Sequence, residues 1–333
     1  MDYWRQAPRS RARHHELAYP DEILTGAPDT RMLRLLGERW QQTLRCPVEV
    51  LVLDRGHRGS SPLLRYRFSG VGLPRASVLQ GPDDLLVCSP ELCFLQLATE
   101  LGPEELIHVG FELCGTYAPP RAGTSRLVER PSALTSVEQL AFFLTQVPKA
   151  RGLAAARGAL RHIINGSASP MESVAAMLFC LPRRLGGLGL PRPELNRVVE
   201  FDREARKMAG GRGRAVCDMF WPGVAVEYEG QAYHGGEVSL RADRARSNAL
   251  AHMGVRTISI YDEHIRSVER CRDMGTEIAR AIGFRMQPRS FDETSRQLHL
   301  RRSILRAAAG TAEPLWPGAG EGIPSLASIL ESA

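Results

Sequence analysis

The chain has 333 residues, 43% hydrophobic and 24% charged, with a formal net charge of +6 and a pI near 9.1. That length suggests two domains of ordinary size, and the composition supplies enough apolar residues for real cores. The basic balance favours polyanionic partners, a weak signal when spread over a whole chain. Seven cysteines, at 46, 88, 93, 114, 180, 217 and 271, form no CxxC pair, so neither a zinc ribbon nor a disulfide framework is indicated. Most lie in apolar runs, where a free thiol acts as a small hydrophobe, and this fits a reducing cytoplasm. The opening MDYWRQAPRSRARHHELAYP has charge but no apolar segment, so no signal peptide is expected. Nor does any stretch approach ~18 uninterrupted apolar residues, so no membrane span is expected.

In chain order, 1–30 is polar, Arg-rich and broken by prolines, and is read as a flexible N-terminal segment. An N-terminal α/β and helical domain is expected over 31–166. Within it, 31–44 has helical spacing with Leu33, Leu36 and Trp40 on one face. PVEVLVLD (47–54) and 63–68 read as strands, and 85–88 is a short apolar run. Ser89-Pro90 opens a helix as N-cap and first helical residue, and a second helix begins near Pro103. A loop over 116–131 and two helices near 135–147 and 148–165 complete this part.

Residues 167–285 carry a denser pattern: helix, Gly/Pro/Arg loop, two strands, loop, helix, strand, helix. The remainder, 286–333, holds one helix (293–309) and a Gly/Pro/Ser-rich end read as a flexible tail.

The chemistry concentrates at the two strands. AVCDMF (215–220) and VAVEY (224–228) flank the turn signal Pro222-Gly223. If those two residues form a hairpin loop, 221 faces 224 and Asp218 faces Glu227, with Cβ atoms ~5 Å apart. Strand period puts Glu229 on the face of Glu227. Carboxylates crowded on one strand face repel each other unless they share a cation, and oxygen-only ligands suit Mg²⁺ or Mn²⁺. The plainer reading is a charged, solvent-facing hairpin edge. Gln231, Tyr233 and His234 follow Gly230; His234 can shuttle a proton or hold a phosphate oxygen, or be an ordinary loop histidine. A helix over 241–253 carries Asp243 and Arg246, the latter able to hold a phosphate or to pair with an acid on an exposed helix. Upstream, Ser169-Pro170-Met171-Glu172 is a capping box, which by itself accounts for Glu172.

This series is Glu172 on a helix, Asp218 on a strand, VAVEYEG, a histidine, an Asp-x-x-Arg helix, then Gly254 and a strand. It resembles the PD-(D/E)XK nuclease superfamily, in the branch related to very-short-patch repair endonucleases, over about 167–265. Similar domains lie at the C-terminus of actinobacterial abortive-infection antitoxin-like proteins. The resemblance implies a restriction-endonuclease-like mixed sheet of four or five strands flanked by helices, Mg²⁺ held by Asp218 and Glu227, and an outer carboxylate from Glu172. Glu229 stands where the superfamily has its lysine, and His234 arrives one residue late, with Tyr233 in the usual place.

The leading expectation is a cytoplasmic, Mg²⁺- or Mn²⁺-dependent endonuclease acting on DNA phosphodiesters. In it Glu172 and Glu229 orient water, and His234, Gln231 and Arg246 meet the substrate. The basic loop 183–214 would track the DNA backbone, or be simply an Arg-rich surface. The alternative is an antitoxin-like regulator that keeps the fold without the activity, with a protein partner in a toxin–antitoxin or defence system.

Overall fold

A computed structural model describes residues 2–6, 15–16, 30–36, 41, 44, 47–59, 61–69, 72–81, 85–119, 127–230, 237–288 and 292–308. It is a mixed α/β structure with one four-stranded sheet and several small ones. Among the described residues no helix is long and apolar enough to cross a membrane.

The sequence reading of 1–30 as flexible fails at its start. Asp2–Gln6 is a helical turn, α1, whose Trp4 is 1% exposed and donates from Nε1 to the Cys88 carbonyl at 2.9 Å. Arg5 forks onto the Glu112 carboxylate at 2.9 and 2.7 Å, and Arg130 donates to the carbonyls of Trp4 and Glu112. A lone indole pattern in a polar stretch gave no periodicity, so the anchor was invisible. The proposed helix at 31–44 is described only as Thr30–Leu35 (α2); Trp40 lies outside the described residues.

Two strands come where the sequence placed them, at 47–54 and 63–68, and the apolar run 85–88 is a third; the strands at 15–16 and 78–80 were not expected. Val48–Val52 (β2) and Leu64–Phe68 (β3) form a parallel pair. Val78–Gln80 (β4) bridges His15–Glu16 (β1) and Leu86–Cys88 (β5). The helices Pro90–Leu97 (α3) and Pro103–Leu113 (α4) follow, the first capped by Ser89 Oγ on the Leu92 N–H. Part of the expected 116–131 loop is a small ladder of Tyr117–Ala118 (β6) with Val128–Glu129 (β7). Val137–Gln146 (α5) and Leu153–Leu160 (α6) complete the helical layer.

The main sheet runs β11-β10-β9-β8, built from Glu194–Glu200 (β8), Arg214–Trp221 (β9), Val224–Glu229 (β10) and Arg256–Tyr261 (β11). Only β10 and β11 are parallel; the other neighbours are antiparallel. The parallel pair is joined by the helix Glu237–His252 (α9), which ends at Gly254 with φ +75°, the left-handed stop that glycine adopts freely. The stretch 183–214 was expected to be a loop. Instead it holds β8 and a short helix, Arg203–Met208 (α8). An edge strand reading ELNRVVE exposes most of its side chains, so it lacks the alternating pattern.

The sheet is covered on both faces. On one side Met219, Trp221, Val224, Val226, Ile258 and Ile260 pack against Pro170–Cys180 (α7), Asp262–Arg266 (α10) and Val268–Ala281 (α11). On the other, Ala215, Cys217 and Ala225 pack against Ala205 of α8 and Ala249 and Leu250 of α9. The single helix expected after Asp262 is broken at Ser267, whose hydroxyl caps α11 by accepting from the Arg270 N–H. The first cluster does not stop at residue 167. It continues through Leu106, Phe111 and Trp4 and takes in Leu300 and Ile304 of Glu293–Ala308 (α12), the C-terminal helix expected over 293–309. Burying each such aliphatic or aromatic side chain stabilises by about 1.5–3 kcal/mol. The tail from 309 on lies outside the described residues.

Candidate metal centre

The hairpin register follows from its turn. Trp221 pairs with Val224, Phe220 with Ala225 and Met219 with Val226, around a two-residue loop in which Gly223 takes φ +79°. One more step would pair Asp218 with Glu227, but the ladder ends at Met219 and Val226 while β10 runs on to Glu229. Beyond that point Asp218 Oδ2 accepts the Tyr228 N–H at 2.8 Å. The carboxylate therefore sits in the split between the two strands, holding a backbone donor that a continuing ladder would give to a carbonyl.

A change of face accompanies the split. Undisturbed strands keep odd-numbered residues on one side. Here Leu195 and Met219 belong to the first cluster, whereas Val199, Cys217 and Ala215 pack with the second. The β8–β9 register does not slip: Leu195 still faces Met219 and Arg197 faces Cys217. Both strands turn over at the position between, where Asn196 lies across from Asp218. Asn196 has φ +50°, a left-handed conformation that asparagine tolerates better than most residues.

Three acids meet at this kink. Glu227, 6% exposed, lies on the α9 side, where its Oε1 accepts from Arg246 Nη2 at 2.8 Å. Glu172 comes from the α7 side and is 8% exposed. Its N–H donates to Ser169 Oγ at 3.1 Å, so half of the expected capping box forms. The other half does not: the carboxylate reaches past Ser169 to the Ala168 N–H at 2.8 Å and to Asn196 Nδ2 at 2.6 Å. Burial pushes the Asp218 carboxyl up to about 7, and the charges of Glu172 and then Glu227 push the same way. Burial also raises Glu227, against the pull of Arg246. Asp218 is thus a partly buried acid between two others, and the nearby guanidinium is engaged by Glu227.

Glu229 is not part of this trio. It lines an open groove with Gly230, Tyr261, Asp262, Arg266 and Arg270, beyond the C-terminal ends of the two parallel strands. Arg246, expected to hold a phosphate, is committed to Glu227 and to the Val216 carbonyl. Gln231 and His234 lie outside the described residues. Two residues missed in the sequence now matter: Asn196, hidden in an edge strand without alternation, and Cys217, whose buried thiol is pushed up to about 12 by burial and by Glu227.

No family model, curated protein or solved structure matches the chain. The centre is therefore judged on its own chemistry. Among the described residues no three His, Cys, Asp or Glu side chains close into a metal-holding group. A Mg²⁺ ion needs no such cage; it binds through one or two carboxylates and keeps several waters. Asp218 and Glu227 are oxygen donors of that kind, beside the Glu172 carboxylate, so by donor chemistry these residues fit the ion.

Proposed function

We propose that the chain is a metal-dependent endonuclease of the PD-(D/E)XK kind, with a restriction-endonuclease-like C-terminal part, acting on DNA. The observation that carries the reading is Asp218 in the strand split, flanked by Glu227 and Glu172, with a carboxyl held near pH 7 by burial and like charge. Mg²⁺ or Mn²⁺ bound there would activate water and stabilise the leaving oxygen of a phosphodiester. Asp218 and Glu227 hold the ion, and Glu172 adds an outer carboxylate. The Arg246 guanidinium pairs with Glu227 and orients it from the α9 side, opposing the rise that burial imposes on its carboxyl. Substrate contact falls to the far end of the β8–β9 hairpin. Arg206, Arg212 and Arg214 are exposed there and form no ion pair among the described residues. Arg214, four residues before Asp218 on β9, lies ~13 Å along the strand from it, about two phosphates away. Other arginines of this stretch are occupied: Arg183 by Glu293, Arg192 by backbone carbonyls, Arg197 by Glu194.

Purified protein is expected to nick plasmid or single-stranded DNA with Mg²⁺ or Mn²⁺, and Asp218→Asn to abolish the nicking. A second reading, a nuclease-fold regulator without turnover, draws on a specific fact. The chain has two lysines, Lys149 and Lys207; neither lies near Asp218 in sequence, and Lys207 is paired with Glu204. DNA binding without cleavage under any divalent ion would select that reading.

A further inference from the structure

We infer that Asn196 is a positioning residue for the metal centre: its amide fixes Glu172 against Asp218, and its left-handed backbone makes the kink that brings the two together. The inference rests on reading the site as a metal centre, and it names a residue on which that reading does not itself depend.

Three observations meet at Asn196. Its Nδ2 donates both to the Gly166 carbonyl at 2.9 Å and to Glu172 Oε2 at 2.6 Å, tying the β8 strand to the segment that leads into α7. Glu172 Oε2 also takes the Ala168 N–H, so that oxygen is anchored by two donors. Its Oε1 accepts no hydrogen bond among the described residues and is the oxygen left for the centre. Finally, Asn196 on β8 lies opposite Asp218 on β9, at the point where both strands exchange faces with no slip of register. A residue of ordinary backbone preference would favour a straight strand there and carry Glu172's partner away from it. The amide is needed as well as the backbone, because a buried carboxylate held by a single N–H is free to swing toward Asp218 or away from it. Neighbours that orient a metal ligand in this way commonly change metal affinity by 10- to 100-fold.

The test is a cycle on the full chain, reading Mn²⁺ affinity by titration calorimetry and bound Mn²⁺ by electron paramagnetic resonance. Glycine adopts φ +50° without strain, so Asn196→Gly keeps the kink and removes only the amide. Asn196→Asp also tolerates that backbone, and replaces the donor by a second acceptor facing Glu172. In the wild-type background Glu172→Gln is expected to weaken Mn²⁺ binding roughly 10- to 100-fold. In either Asn196 background it should change the affinity by no more than about twofold, because Glu172 is already lost to the site. Asn196→Gly alone should weaken binding about as much as Glu172→Gln. Unchanged affinity in Asn196→Gly, or losses that multiply in the double variant, would overturn the inference and leave the metal centre standing. A wild-type chain that binds no Mn²⁺ would bring down both.

Discussion

Asp218→Asn should stabilise the metal-free protein, and by an amount that grows with pH. In the folded chain the Asp218 carboxyl keeps its proton up to about pH 7, whereas in the unfolded chain it ionises near 3.8. Between those values the folded state binds more protons, so stability falls as pH rises through the window and levels off above 7. The gap is about 3 pH units, which at 1.36 kcal/mol per unit is about 4 kcal/mol in the limit. Asparagine carries no charge and still offers an oxygen to the Tyr228 N–H. At pH 8 the substitution should therefore recover up to about 4 kcal/mol, and at pH 5 only about 1–2 kcal/mol. Unfolding entropy of ~2.1 cal/mol/K per residue turns 4 kcal/mol into a rise of about 6 °C for a chain of this size. The assay is thermal unfolding in EDTA at the two pH values, wild type against variant. A gain equal at pH 5 and pH 8, or a loss at pH 8, would refute the reasoning. Saturating Mn²⁺ should reverse the ranking, since only the wild type gains binding energy on folding.

Other outcomes follow from the same bookkeeping. Arg246→Ala strips Glu227 of its guanidinium and leaves a buried carboxylate, 6% exposed, without a cation; unfolding in EDTA should show a loss of about 3–5 kcal/mol, partly restored by Mn²⁺. Arg5→Ala should cost a similar ~3–5 kcal/mol by leaving the fully buried Glu112 side chain unpaired, and Glu112→Gln in that background should recover much of it in urea titrations. His108 is buried with no hydrogen bond to Nε2, and burial drives it down to about 4. The unfolded imidazole charges near 6.5, so stability should fall as pH drops from 6.5 toward 4, by about 3 kcal/mol. His108→Leu should remove that acid limb from the denaturation profile.

The sequence made the hairpin legible because Pro222-Gly223 gave the loop and the valines and alanines gave the strands. It went astray one step later. Pairing Asp218 with Glu227 assumed that the ladder continues, and nothing local announces that strands part at a given residue. Asn196 was unreadable for a related reason: its positive φ and its hold on Glu172 are tertiary facts, carried by a strand whose exposed side chains hide its period. Glu172 looked like a cap, and its backbone is capped, but its carboxylate went elsewhere because a closer donor was supplied by another strand. The arginines of 183–214 show the opposite error. They share one composition, yet some are bound to carbonyls or acids, whereas Arg206, Arg212 and Arg214 at the hairpin end form no ion pair among the described residues.

The shared core has a consequence for synthesis. Trp4 and Arg5 are fastened near α4 and residue 130, while Leu300 and Ile304 close the same apolar cluster against α4 and α7. A chain growing on the ribosome carries α1 through the synthesis of everything between it and α12 before that wall of the cluster emerges from the tunnel. Until then the apolar faces of α4 and α7 stay open to water and to chaperones. Folding to the final state is thus timed by the arrival of residues 293–308, and a cut between the two halves would leave each with an unfinished surface.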